Sequence, residues 1–144
     1  MPANHSPERC FVDTNIWLYA LIEGANAQKH SRATEIVQHH TVVISTQIIN
    51  ETCVNLLKKA QLPEAQLYAL IQAFYTKYEI IHLRREVLLR ASELREQYSL
   101  SFWDSLVIAC ALASGCSVLY TEDMQDGLEV AGQLTIVNPF PQVA

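Results

Sequence analysis

None of the four cysteines, Cys10, Cys53, Cys110 and Cys116, stands in a Cys-x-x-Cys pair. That spacing argues against a structural zinc site. Three of them lie inside apolar runs, where a free thiol behaves as a small hydrophobe. Glycine is scarce, at 4 in 144 residues, and there is no G-x-G-x-x-G or phosphate loop. A nucleotide-binding Rossmann module is therefore disfavoured. With 5 prolines, the chain does not have the composition of a disordered segment either. No run reaches the ~20 apolar residues of a membrane span. Met1–Ser6 carries no apolar core of a secretory leader. A cytoplasmic, reducing setting is expected. Positive charge is short too: 10 Lys and Arg face 15 Asp and Glu, a net charge of -5. Overall attraction to nucleic acid is excluded on that balance. A cluster of acids awaiting a cation fits it.

Half of the residues are hydrophobic, enough to fill a core, and the length suits one domain over residues 1–144. No repeat, linker or low-complexity stretch divides it. Strands are expected at Cys10–Val12, Thr41–Ser45, Glu79–Leu83, Ser117–Tyr120 and Gln133–Val137. Helices are expected at Ile16–Ile22, Ala27–His40, Gln47–Ala60, from Glu64 through Tyr78, at Arg84–Tyr98 and from Ser101 to Gly115. Asp126–Ala131 reads as a short helical turn. Strands alternating with helices predict an α/β fold. Its form is a three-layer α/β/α sandwich around a mainly parallel sheet of about five strands. Leu67, Leu70, Ile71, Phe74, Tyr75 and Tyr78 make the clearest amphipathic stripe, which reads as core. Leu106–Leu112 is apolar all round and belongs in the middle of the domain.

The candidate site is acidic. Cys10-Phe11-Val12 ends abruptly in Asp13, followed by Thr14 and Asn15. Ligands of open α/β sheets bind at the C-terminal ends of strands. Taken alone, Asp13 is better explained by a helix cap. Asp123 follows another strand, Asp104 opens the apolar helix, and Glu51 lies one turn into the helix after the second strand. Asp104 also fits a capping box with Ser101, and Glu51 fits an ordinary exposed helix face. Together, four carboxylates at one sheet edge repel one another unless a cation joins them. Lys29, Lys58, Lys59 and Lys77 fall in other segments. Oxygen ligands without His or Cys select Mg²⁺ or Mn²⁺. Arg84, Arg85, Arg90 and Arg95 read equally as a solvated face or as phosphate contacts. Trp17, Tyr19 and Trp103 could stack bases, with core packing the stronger expectation for each.

Val12-Asp13-Thr14-Asn15, Asn50-Glu51, Phe102-Trp103-Asp104-Ser105-Leu106-Val107-Ile108-Ala109 and Tyr120-Thr121-Glu122-Asp123-Met124 follow in that order. This set resembles a PIN-domain ribonuclease, and within that family the toxin subunit of VapBC toxin–antitoxin pairs. The resemblance spans nearly the whole chain. It implies Asp13, Glu51, Asp104 and Asp123 as catalytic, metal-holding acids for Mg²⁺ or Mn²⁺, supported by Thr14, Asn15 and Thr121. Asp126 matches the pattern less well than Asp123. It also implies an RNA substrate, a small antitoxin partner and a homodimer. The reaction would be metal-assisted hydrolysis leaving 3′-hydroxyl and 5′-phosphate ends. The alternative is a PIN-like module that binds RNA or a partner without turnover. A phospho-acceptor receiver also uses acids and Mg²⁺ on a parallel sheet. It wants a lysine near the end of a late strand, and no lysine follows Lys77.

Overall fold

The computed structural model describes residues 8–24 and 26–141. The sequence reading of Met1–Ser6 as leaderless falls outside the described residues. In chain order the elements are β1 (Arg9–Val12), α1 (Thr14–Leu21), α2 (Ala27–His39), β2 (Thr41–Ser45), α3 (Thr46–Lys59) and α4 (Glu64–Lys77). They continue with β3 (Glu79–Ile81), α5 (Arg85–Tyr98), α6 (Phe102–Ala113), β4 (Val118–Tyr120), β5 (Glu129–Val130) and β6 (Leu134–Val137).

The sheet has six strands in the order β3-β2-β1-β4-β6-β5. All pairings are parallel except β5 with β6. The expected helical turn at Asp126–Ala131 is instead a turn followed by the two-residue strand β5, which makes the sixth strand. Its residues pair Glu129 with Thr135 and Val130 with Leu134, and Val130 is fully buried. Two residues are too few for either periodicity to show, so pairing with β6 decided the conformation.

Chain order along the sheet runs outward from β1 to β2 and β3, then returns to β4 on the other side of β1. Right-handed crossovers therefore put α5 and α6 on the face opposite α1 to α4. The point where the strand order reverses lies between β1 and β4, and the crevice of an open α/β sheet opens there. Phe11, Val12, Val43, Ile44 and Leu119 are buried on both sides, the continuous apolar pattern of strands covered by two helical layers.

The helix α6 is buried from Ser105 to Ala111, as its lack of a polar face predicts. Its direction follows from its partner. Arg84, Glu86 and Val87 at the start of α5 share a cavity with Ala113 and Ser114 at the end of α6. Tyr98 at the end of α5 shares another with Asp104 at the start of α6. The two helices are thus an antiparallel hairpin. α5 returns the chain to the strands' C-terminal edge, and α6 begins there.

The stripe of α4 is only partly core. Leu67 and Phe74 are buried, whereas Ile71 and Tyr75 are 37% and 50% exposed. Val54 and Leu57 of α3 are exposed as well. Trp17 is core as expected, packed edge-on against Phe74 at 5.1 Å and Tyr78 at 5.2 Å. All four cysteines are free. Burial pushes the thiols of Cys10, Cys110 and Cys116 up to about 12, so each stays a protonated thiol packed as a small apolar group. Among the described residues, no helix is long and apolar enough to cross a membrane.

Candidate functional site

β1 and β4 lie side by side, with Val12 opposite Tyr120, so the residues that follow them emerge together. The Asp13 amide continues the ladder by donating to the Tyr120 carbonyl at 3.0 Å. Asp13 then turns the chain into α1 as its N-cap. One carboxylate oxygen accepts from the Thr14 amide at 2.8 Å. The other accepts from the Thr121 hydroxyl, also at 2.8 Å. Capping and delivery to the crevice are therefore both true of this residue.

Thr121 is wholly buried and fully used. Its hydroxyl donates to Asp13 and accepts from the Asp123 amide at 3.2 Å and the Asn15 amide group at 3.4 Å. Asn15 also donates to the Asp123 carboxylate at 3.0 Å and accepts from the Glu122 amide at 3.1 Å. One short polar net thus ties the start of α1 to the loop after β4. Glu51 is half-buried rather than on an open helix face. Its carboxylate accepts from Thr14 Oγ1 at 2.9 Å and from Gln47 Nε2, one turn back on α3, at 3.0 Å.

Asp104 occupies the first turn of α6, where Ser101 caps the helix by accepting from the Asp104 amide at 3.2 Å. Among the described residues, no donor reaches the Asp104 carboxylate. The reciprocal half of a capping box is therefore missing, and the cap does not account for the acid. Asp104 and Asp123 line one groove of about 270 Å³ with Tyr98, Ser101 and Met124. Asp126 is elsewhere: its carboxylate accepts from the Asn138 amide at 2.8 Å and fastens the end of β6.

Asp13 is pushed up to about 6, chiefly by burial. The hydrogen bonds from Thr121 and Thr14 oppose the rise, and the charges of Glu51 and Asp104 add to it. Removing the Thr121 hydroxyl removes the largest of the opposing contributions. Thr121→Val should therefore move the Asp13 carboxyl above about 6, read by carboxyl-carbon NMR titration. An unchanged titration would show that the hydroxyl does not stabilise the anion.

The donor set suits a hard divalent cation: carboxylate oxygens only, one of them buried at an energetic penalty that an ion would relieve. As placed, however, no three His, Cys, Asp or Glu side chains among the described residues converge tightly enough to hold one. Thr121, Thr14, Gln47 and Asn15 each hold a carboxylate on a neutral donor.

Two contributors escape sequence reasoning. Lys29, expected to lie apart from the acids, pairs with Glu122 beside Asp123 and sits over the Tyr19 and Phe140 rings at 5.0 and 5.1 Å. The Tyr19 hydroxyl donates to the same Glu122 at 3.0 Å. Gln47 is the other. Its spacing of four residues from Glu51 is a helical neighbour signal, though only the fold shows that Glu51 faces the crevice.

Residues 10–128 match the sequence profile of the PIN domain. This chain belongs to the PIN domain family. Three solved structures show how widely the fold is shared. A toxin–antitoxin complex from Klebsiella pneumoniae has a TM-score of 0.68 at 22% identity, over 91% of this chain and 98% of that one. A toxin of Mycobacterium tuberculosis, described as cleaving the sarcin–ricin loop, has a TM-score of 0.65 at 23% identity, over 79% and 89%. A VapBC complex of Rickettsia felis, bound to a DNA fragment from its promoter, has a TM-score of 0.62 at 20% identity, over 89% and 96%. No curated protein matches this chain in sequence.

Proposed function

We propose that this chain is a Mg²⁺- or Mn²⁺-dependent endoribonuclease and the toxin of a toxin–antitoxin pair, acting in the cytoplasm. The observation that carries the reading is a buried Asp13 at the topological switch point, joined through Thr14 to Glu51 and through Thr121 to the Asp123 loop. Membership of the PIN family and the toxin–antitoxin complexes among its structural relatives support it.

In this reading Asp13, Glu51, Asp104 and Asp123 would hold the ion, with Thr14, Asn15 and Thr121 orienting them. When bound, a divalent ion supplies a water of lowered pKa and offsets charge on the phosphate. Asp104 is the one acid of the four that no protein donor reaches among the described residues, which leaves its oxygens open to a ligand or a proton. Water adds to phosphorus and the P–O3′ bond breaks, giving a 5′-phosphate and a 3′-hydroxyl. Asn15 and Thr121 keep the Asp123 loop against α1, so the Asp13 and Asp123 segments stay together.

The exposed apolar residues Val54, Leu57, Tyr68, Ile71 and Tyr75 on α3 and α4 support a protein partner there, a second copy or an antitoxin. A labelled mixed RNA pool tests the activity. Cleavage should require Mg²⁺ or Mn²⁺, stop with EDTA, and leave 5′-phosphate ends. Cutting that survives EDTA, or a cyclic phosphate product, would sink the mechanism. Binding without cutting by a pure, metal-loaded protein would instead favour a module without turnover.

A further inference from the structure

The helix α6 has one anomaly. Ser105 through Ala111 are buried, yet Phe102 and Trp103, immediately before Asp104, are 54% and 63% exposed. Sequence reasoning expects Trp103 in the core. It stands outside because α6 projects past its cover at the N-terminal turn, where successive side chains point about 100° apart. The two rings meet edge to face, 5.3 Å between centroids and 79° between planes. The Arg95 guanidinium lies over the Phe102 ring at 4.3 Å and is fixed there by donating to Ser105 Oγ at 2.7 Å. Two large aromatic surfaces and a held cation therefore open to solvent one residue from an acid of the groove.

We propose that Trp103 and Phe102, backed by Arg95, form the platform on which an unpaired base of the RNA stacks next to the scissile phosphate. The proposal rests on the ribonuclease reading and specifies its substrate: single-stranded RNA, or a loop with splayed bases. Charge favours this occupant. A chain of net charge -5 gains little from phosphate attraction overall. Stacking on aromatic rings is independent of that balance and tolerant of base identity. Arg95 adds a cation at the place where the adjoining phosphate would pass.

The chain supplies its own reporter. Of its two tryptophans, Trp17 is 2% exposed and Trp103 is 63% exposed. Acrylamide-quenchable emission is thus that of Trp103. Binding is measured on the Asp13→Asn chain, which keeps the RNA uncut, and kinetics on the otherwise native chain with Mg²⁺. A short unstructured oligoribonucleotide should quench Trp103 and shield it from acrylamide. An abasic oligonucleotide of equal length should do neither. Trp103→Leu should raise KM roughly ten-fold with kcat within about two-fold, and Trp103→Phe should restore most of the loss.

If the native chain cuts RNA while Trp103→Leu matches it and Trp103 emission is unmoved, the platform is wrong and the ribonuclease reading stands. If Trp103→Leu changes only the sedimentation of the protein, the rings belong to a contact with a second copy, and the proposal falls. If the chain neither binds nor cuts RNA, both readings fail together.

Discussion

Asp13→Asn should abolish RNA cleavage, by at least ~100-fold, and at the same time make the metal-free protein more stable at pH 8. The first half follows from the proposed role. Changes confined to groups around a metal ligand commonly cost 10–100-fold, and loss of a ligand costs more. The second half follows from the cost of keeping an acid charged there. The folded state holds the Asp13 proton up to about 6, against 3.8 for an ordinary carboxyl. Between those values the folded state binds more proton than the unfolded one. Stability from this group is full below 3.8 and is lost as pH rises through about 6. The loss is of order 3 kcal/mol at most. Asparagine is neutral, can still accept from the Thr14 amide, and escapes that loss.

The variant's melting temperature should therefore match the native one near pH 4 and exceed it by roughly 5 °C or more at pH 8. Adding Mn²⁺ should narrow the gap, because an ion that binds only the folded native chain stabilises it by mass action. A variant that is less stable at pH 8 without metal would show that burial does not penalise the charged Asp13 carboxylate. The same titration bears on activity, since an acid that must be charged to take a cation binds it poorly below its pKa.

Trp17→Ala should destabilise the protein by ~3–5 kcal/mol, a large share of the 5–15 kcal/mol typical of a domain. Trp17 is the largest of the fully buried side chains and joins α1 to Phe74 of α4 and Tyr78 just beyond it. Truncation leaves a cavity between α1 and α4 that the two helices would have to close, and rigid helices do so poorly. The effect reaches the site because α1 begins with Thr14 and Asn15, which hold Glu51 and Asp123. Thermal unfolding should shift down by roughly 10 °C. Trp17→Phe should cost roughly half as much or less. It keeps an edge-on ring and removes the indole N–H, which finds no partner among the described residues. A shift of under ~2 °C in Trp17→Ala would mean that α1 is held by other contacts.

Much of this protein is legible in one dimension. An apolar run ending in Asp13 announces a buried strand with an acid at its tip, because an unbroken apolar run and an abrupt charge need no tertiary information. The all-apolar Leu106–Leu112 announces a central helix for the same reason. Alternation of strands and helices yields the parallel sheet, since parallel neighbours require crossovers.

Other features depended on contacts between distant segments. β5 is two residues long and exists through pairing with β6. The α5–α6 hairpin brings Asp104 to the acidic edge, and no local pattern specifies in which direction a helix crosses a sheet. Lys29 and Glu122 are 93 residues apart and meet only in the fold. By itself, then, the sequence determined most of the helices and strands, the wholly buried ones above all, and that four acids follow strands or stand in the early turns of helices. Tertiary structure decided which side of each helix is covered, and hence that Trp103 and Tyr75 stand open while Trp17 does not. Periodicity defines a face, but only a neighbour in space can cover it.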